Sequence, residues 1–230
     1  MNDGFIKVAA ITPEISVADP QKNAKVICDD ILKATALGAK VIVFPELCLT
    51  GYTCGDLFYH DVLLKNALCA LSDVASCSVG ADALIFVGCP IRKDGKIYNC
   101  AVAINKGKIL GAVPKTFLPN YNEFYEKRWF APAPEEREEI SLLGQTVPFG
   151  RGILFRCEQM QNLTVGAEIC EDLWTPMPPS GKLALSGATI IVNLSASNEC
   201  VGKSEYRKSL VSSQSARLAA GYVYCSAGDG

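Results

Sequence analysis

Apolar, β-branched runs alternate along the chain with stretches whose apolar residues recur at helical spacing. Residues 5–12 form the first run and predict a strand. Asp19-Pro20 then predicts the start of a helix, because an acidic N-cap followed by a first-turn proline is typical of that position. The helix is predicted to end at Gly38, just before a second apolar run, residues 41–44. Its apolar positions are Val26, Ile27, Ile31, Leu32 and Leu37. This pattern indicates a βαβ-like unit whose second strand is buried on both faces.

The same alternation continues to the end of the chain, interrupted by one predicted hairpin that turns at Asn105-Lys106-Gly107. Residues 118–130 are interpreted as a loop ending in a short helix, and the proline-rich acidic residues 131–139 as a surface excursion. The other predicted strands are 83–88, 98–104, 109–113, 153–157, 163–170, 188–194 and 222–227, and the other helices are 61–74, 183–187 and 204–220. The pattern therefore predicts an α/β fold, one domain over residues 1–230, with sheets covered by helices.

Composition narrows the function classes. The 22 basic and 24 acidic residues nearly cancel and form no long run of one sign, which argues against a nucleic-acid binder. We see no signal-peptide pattern and no run of 18 or more apolar residues, so we expect a cytoplasmic protein that does not contact a membrane. The 11 cysteines include no C-x-x-C pair, and with one histidine they predict neither a disulfide framework nor a metal site.

Cys170 stands at the end of the apolar run 163–170 and is followed directly by two acids. A thiol at the end of a buried strand is a candidate nucleophile, and the amides of Glu171 and Asp172 in the turn after it are candidate oxyanion donors. The alternative is that Cys170 is a buried packing residue like most of the other cysteines.

Two charged residues also stand directly after predicted strands, as Cys170 stands at the end of one. Glu46 follows the strand 41–44, and Lys115 follows the returning strand of the hairpin. A glutamate can take the proton of a thiol and an ammonium can stabilise the oxyanion, so we expect both to meet Cys170 in one pocket and to make it the most reactive thiol. His60, the single histidine, is interpreted as a surface or capping residue.

Several motifs in this order resemble the nitrilase superfamily, whose members use a Glu-Lys-Cys triad. More narrowly, they resemble the N-terminal glutaminase domain of the glutamine-dependent NAD synthetase family. The motifs are Phe44-Pro-Glu46, Leu49-Thr-Gly-Tyr52, Pro114-Lys115, Leu118-Pro-Asn-Tyr121, Phe124-Tyr-Glu-Lys-Arg128, Ile169-Cys-Glu-Asp-Leu-Trp174, Asn193-Leu-Ser-Ala-Ser197 and Gly202-Lys203.

The resemblance implies a four-layer α-β-β-α sandwich and hydrolysis of glutamine to glutamate and ammonia through a cysteinyl thioester. It implies that Glu46 is the base, Lys115 the oxyanion-stabilising cation, Cys170 the nucleophile, and Glu126 a further glutamate that positions the lysine and the substrate. The implied glutamine contacts are Tyr52, Tyr121, Ser197 and Lys203. A lysine is a weaker match than an arginine for recognition of a carboxylate.

The family's synthetase domain uses ATP and Mg to amidate deamido-NAD, and its Ser-Gly-Gly-x-Asp-Ser phosphate loop does not occur in this sequence. We therefore expect no cofactor in this chain, a synthetase domain as partner in the full-length polypeptide, and a homo-oligomer. We interpret the chain as a fragment in which the sandwich is incomplete at the C-terminus, so its activity is an open question. Two alternatives are a stand-alone nitrilase-family amidase for another small amide and an inert module used only in assembly.

Overall fold

The computed structural model describes residues 4–228, so the first three and last two residues of the predicted domain lie outside the described part. The strands are β1 Lys7–Ala10, β2 Ala39–Val43, β3 Leu84–Lys93, β4 Lys96–Asn105, β5 Lys108–Pro114, β6 Glu138–Leu142, β7 Gln145–Phe149, β8 Leu154–Arg156, β9 Thr164–Ile169, β10 Ile190–Ser195 and β11 Gly221–Ser226. The α-helices are α1 Pro20–Ala36, α2 Asp61–Cys77, α3 Glu126–Trp129, α4 Pro179–Leu185 and α5 Lys203–Leu218.

The strands form two sheets that pack face to face. The larger sheet has the order β1-β2-β3-β4-β5-β7-β6, and the smaller has the order β11-β10-β9-β8. Between them lies a core to which β2 and β4 contribute residues such as Val43 and Ala103, and to which β9 and β10 contribute residues such as Ala167 and Val192. Burying these two apolar faces against each other is what holds the sheets together.

Helices cover the outer face of each sheet. Helices α1 and α2 pack against β2 and β3, and α4 and α5 pack against β9, β10 and β11. Strand β2 shows the consequence, because Ile42 faces the helices while Val41 and Val43 face the second sheet, all fully buried. The predicted four-layer α-β-β-α sandwich is confirmed.

Helix α1 begins as predicted, because the Asp19 side chain accepts a hydrogen bond from the Lys22 amide and Pro20 occupies the first turn. Its buried face differs from the predicted apolar set. Leu32 and Leu37 are 57% and 70% exposed, while Asn23 is fully buried because it bonds to Ser16 and to the Leu49 carbonyl. Helical spacing located the helix, but polar contacts of the neighbouring loops decided its rotation.

The interpretation of residues 131–139 as a surface excursion is wrong at its end. Residues from Glu138 onward form β6, which pairs antiparallel with β7, and β7 joins the large sheet beside β5. The alternation in this hairpin is short: each five-residue strand has only two buried residues, Ile140 and Leu142 in β6 and Val147 and Phe149 in β7. Strands this short, which directly follow a proline-rich acidic stretch, contain too few periods to be recognised from the sequence.

The segment Asp61–Gly80 is long and apolar enough, by length and composition alone, to cross a membrane. In the fold it is α2 and the turn after it, and its apolar face, including Leu71 and Val74, is buried in the core beneath the large sheet. Its amphipathic burial is that of a core helix. His60 precedes it and is exposed, as expected for a residue at a helix entry.

Candidate active site

Glu46 is held where β2 ends by an unusually close approach of two backbones. A Cβ added to Gly88 of β3 would lie 2.1 Å from the Leu47 nitrogen, so only glycine allows the segment after Pro45 to pass there. The Leu49 amide then donates to the Gly88 carbonyl over 3.2 Å. This contact directs the Glu46 side chain inward, where it is 1% exposed.

Lys115, the residue after β5, is bound between two carboxylates. Its Nζ lies 2.7 Å from Glu46 Oε1 and 2.5 Å from Glu126 Oε1, and all three side chains are essentially buried. Burial by itself acts to lower the pKa of Lys115, but the charges of Glu46 and Glu126 outweigh it and hold that pKa well above its ordinary value. Lys115 is therefore a permanent cation in the interior.

Glu126 differs from Glu46 in its surroundings. Its Oε1 accepts from the Tyr52 hydroxyl at 2.9 Å as well as from Lys115, while its Oε2 is buried without a hydrogen-bond partner among residues 4–228. Burial raises the pKa of Glu126 to about 7, against the opposing effect of Lys115. Glu126 is therefore partly protonated near neutral pH. Its protonation relieves the repulsion between the two carboxylates that share the Lys115 ammonium.

Three further hydrogen bonds fix Glu46, two at its carboxylate and one at its backbone amide. Asn99 Nδ2 donates to Oε1 at 2.6 Å, and the Ala196 amide donates to Oε2 at 2.9 Å. The Glu46 amide also donates to the Ser195 carbonyl over 3.4 Å. These bonds connect the large sheet to β10 of the smaller sheet and leave Glu46 as a preorganised acceptor.

Cys170 follows β9 in a left-handed backbone conformation, with φ of +43°, at the start of a short 3₁₀ turn. Such a conformation is costly for a residue with a Cβ and is typical of functional sites. The register of β10 with β9 pairs Leu194 with Ile169, so the next residues, Ser195 and Cys170, lie side by side. Since the Ala196 amide binds Glu46, this arrangement brings Cys170 into the same buried pocket as Glu46 and Lys115.

Asp172 ties the Cys170 turn to the segment after Lys115. Its carboxylate accepts from the Ile169 amide at 2.9 Å, from Thr116 at 3.1 Å and from Phe117 at 2.8 Å. The sequence indicated a role only for the amide of Asp172, and this role of its side chain was missed. Asn99 and Ser195 were missed in the same way, although each is a polar residue within or at the end of an otherwise apolar strand.

The expected stabilisation of the Cys170 thiolate is wrong for the free protein. Burial and then the charge of Glu46 raise the pKa of Cys170 to about 12, and Lys115 and the Ser195 hydroxyl offset only part of this. Cys170 is therefore a thiol at neutral pH, and any reaction through its sulfur requires a base to take the proton.

Iodoacetamide is accordingly expected to modify Cys69 and Cys200 before Cys170, because those two thiols are exposed and Cys170 is 5% exposed. Peptide mapping after limited alkylation at neutral pH measures the order. Faster labelling of Cys170 than of both exposed thiols would show that its thiolate is stabilised after all.

Three of the four predicted substrate contacts meet at Phe124. The rings of Tyr52 and Tyr121 lie 6.4 Å and 5.7 Å from the Phe124 ring, edge to face, and Lys203 Nζ lies 5.9 Å from its centre. Ser197 lies beside Tyr224, next to Ser195. The predicted contacts therefore form a rim around the buried carboxylates and the thiol.

Two rim residues also have partners that the sequence did not indicate. Lys203 bonds to Asn198 Oδ1, and its Nζ lies 5.2 Å from the centre of the Trp174 ring. Tyr121 donates to the Glu171 carboxylate at 2.9 Å. The rim thus presents both a cation and a carboxylate, Lys203 and Glu171.

A cavity of about 720 Å³ lies elsewhere, at the opposite ends of the strands. It is lined by residues at the starts of β2, β3 and β9, including Lys40, Leu84 and Val165, and contains none of the predicted site residues. A cavity of only about 20 Å³ adjoins Glu46 and Tyr52. We locate the site by its chemistry at the carboxyl ends of the strands rather than by cavity size. In residues 4–228 no group of three or more His, Cys, Asp and Glu side chains could hold a metal.

Comparison with known sequences and structures shows to which family the chain belongs. The profile of the family described as "Carbon-nitrogen hydrolase" matches residues 7–227. The chain belongs to the carbon-nitrogen hydrolase family. Within it, the chain is 43% identical over 227 residues to the glutamine-dependent NAD(+) synthetase of Mycobacterium tuberculosis, a match that covers 99% of this chain and 33% of that protein. The counterpart from Arabidopsis thaliana is 33% identical over 88% of the chain and 29% of its own length.

Solved structures of family members agree. The glutamine-dependent NAD(+) synthetase from Cytophaga hutchinsonii superposes with a TM-score of 0.86 at 31% identity, covering 98% of this chain and 36% of that one. An amidase of the nitrilase superfamily from Nesterenkonia shares the fold, with a TM-score of 0.74 at 17% identity over 96% of this chain and 75% of its own. This carbon-nitrogen hydrolase domain spans about a third of the length of the curated relatives it matches.

Proposed function

We propose that the chain is a glutamine amidohydrolase that uses Glu46, Lys115 and Cys170 as its catalytic residues. The observation that carries the proposal is the buried Lys115 ammonium, held between Glu46 and Glu126 at the end of the sheet where Cys170 takes up its left-handed turn. A buried cation next to a thiol and an oriented carboxylate provides the three groups that acyl transfer from an amide requires.

In the first step, Glu46 takes the Cys170 proton while the sulfur attacks the amide carbon, and the carbonyl oxygen becomes an oxyanion. The Lys115 ammonium and the Glu171 amide stabilise that oxyanion. Glu46 then passes its proton to the amide nitrogen, the carbon-nitrogen bond breaks, and ammonia leaves with a thioester behind. Glu46 next removes a proton from water, which attacks the thioester and restores the thiol with release of the acid.

Glutamine is favoured as substrate by the rim. Lys203 offers a positive charge to the α-carboxylate, and the hydroxyls of Tyr52, Tyr121 and Ser197 offer hydrogen bonds to the rest of the molecule. The relatives that match 99% of the chain are named glutamine-dependent NAD(+) synthetases. We therefore propose that the ammonia serves an ATP-dependent synthetase domain that amidates deamido-NAD. The 11 free cysteines favour a reducing compartment, the cytoplasm.

The test is a panel of amides with ammonia release as readout. Glutamine is expected to exceed propionamide in kcat/KM by about 10²-fold or more, because only glutamine engages the charged rim. Lys203→Met is the matched variant: it should raise KM for glutamine and leave propionamide unchanged. Equal or better turnover of propionamide would instead support a stand-alone amidase for another small amide.

A further inference from the structure

A series of hydrogen bonds, buried at the Cys170 end and partly buried at Tyr222, runs from the Cys170 amide across the smaller sheet. The Cys170 N–H donates to Asn193 Oδ1 at 3.0 Å, and Asn193 Nδ2 donates to the Tyr222 hydroxyl at 3.1 Å. Tyr222 in turn donates to Glu168 Oε1. Glu168 lies in β9, Asn193 in β10 and Tyr222 in β11, and Asn193 and Glu168 are at most 1% exposed. The reaction proposed above uses none of the last three.

Glu168, at the other end of this series of hydrogen bonds, also accepts from residues of the helices. The Ser180 amide, at the start of α4, donates to Glu168 Oε2 at 2.7 Å. Gln214 of α5 donates to the Ser180 hydroxyl at 2.8 Å, which leaves the hydroxyl proton free to point at Glu168 as well. Glu168 is thus the acceptor on which donors from both directions converge.

The direction of every bond follows from that carboxylate. A carboxylate only accepts hydrogen bonds. The Tyr222 hydroxyl therefore donates its proton to Glu168, and the Tyr222 oxygen accepts a hydrogen bond from Asn193. Asn193 therefore turns its NH₂ group to Tyr222 and its carbonyl oxygen to Cys170. A reversed Asn193 would point two N–H donors at the Cys170 N–H.

The orientation matters because the Cys170 backbone is strained, with φ of +43°. A conformation of this kind is costly for a residue with a Cβ and persists only where its surroundings fix it. We propose that Glu168 and Tyr222 are positioning residues that orient Asn193 so that it holds the Cys170 amide and, with it, the nucleophile and the following oxyanion donor. The proposal rests on the proposed function for its kinetic readout only.

Glu168→Gln tests the direction of the hydrogen bonds, because glutamine has the same shape as glutamate but carries an NH₂ donor in place of one oxygen. The glutamine oxygen is expected to face the two donors of Ser180, so its NH₂ group faces Tyr222. Tyr222 must then donate to Asn193, which reverses and loses the Cys170 N–H. Tyr222→Phe cuts the chain instead, and Asn193 stays free to accept from Cys170.

We expect Glu168→Gln to lower kcat for glutamine by about 10²-fold with KM within about 2-fold, a loss of the size that misplaced catalytic groups cause. Tyr222→Phe and the double variant Glu168→Gln/Tyr222→Phe should each lower kcat by only about 10-fold. Phenylalanine has no hydroxyl that could donate to Asn193 and reverse it. The free energy of unfolding should rank differently, with the double variant least stable since its glutamine NH₂ has no partner. Glu205→Gln, an exposed carboxylate on α5, is the matched control and should leave kcat unchanged.

Hydrogen exchange of the Cys170 amide, followed by NMR, gives a readout that does not depend on turnover. Exchange in Glu168→Gln should be at least about 10-fold faster than in the double variant, while other β9 amides keep their protection. A double variant with faster exchange and lower kcat than Glu168→Gln would overturn the proposal. So would unchanged exchange in Glu168→Gln. If the wild-type protein hydrolyses no glutamine, the proposed function fails and the exchange ranking alone decides the positioning role.

Discussion

Cys170→Ala is expected to abolish covalent capture of a glutamine-like electrophile, such as a diazo-ketone analogue of glutamine. The thioester forms on the Cys170 sulfur, so the loss of turnover should be on the order of 10⁴- to 10⁶-fold, as for removal of the nucleophile in other acyl-transfer enzymes. Intact-mass measurement after incubation shows the adduct in the parent protein and its absence in the variant.

Cys89→Ala is the matched control, because Cys89 is also fully buried but lies in the core between the large sheet and its helices. It should retain the adduct and lose only some stability. An adduct that persists in Cys170→Ala, or that maps to Cys54 or Cys200 in the parent, would contradict the nucleophile assignment.

Lys115→Met is expected to damage both stability and catalysis. It leaves the buried carboxyl groups of Glu46 and Glu126 facing each other without a cation. Removing one partner from a buried ion pair costs about 3–5 kcal/mol in the free energy of unfolding. Loss of an oxyanion-stabilising group lowers kcat by about 10²- to 10³-fold. Urea denaturation and steady-state ammonia release measure the two effects separately.

The double variant Lys115→Met/Glu126→Gln separates the two roles of the lysine. Neutralising Glu126 should recover part of the lost stability, but none of the activity, because the oxyanion still lacks its cation. Lys33→Met makes the same chemical change on the surface of α1 and should leave the free energy of unfolding nearly unchanged. If the Lys115 variant unfolded like the parent, the pair of carboxylates would not depend on the lysine.

The elements that the sequence predicted well are those with a strong periodic signal and a marked end. Strand β2 is a continuous apolar run, and α1 carries both an acidic N-cap and a first-turn proline. The hairpin β6-β7 was missed because each of its strands has only five residues and two buried positions. The pattern of apolar residues identifies an element only where the element is long enough to repeat the pattern several times.

For the candidate site, the sequence showed that Glu46, Lys115 and Cys170 each follow an apolar strand, and motif resemblance added Glu126 and the rim residues. It did not show how the charges balance. Whether Cys170 is a thiol or a thiolate depends on its burial and on the field of Glu46 against that of Lys115, and these are sums over groups that are far apart in sequence.

The sequence by itself determined the α/β class, the order of most elements and the chemical groups at the strand ends, because these depend on local periodicity and on residue type. Only the tertiary structure decided which polar side chains act together: Asn99 on Glu46, Asp172 on the amides of Thr116 and Phe117, and Asn193 on the Cys170 amide. The physical reason is that a buried polar group must find its hydrogen-bond partner in space. Here Asn99 and Glu46 are 53 residues apart in the chain, and Asn193 and Cys170 are 23 apart.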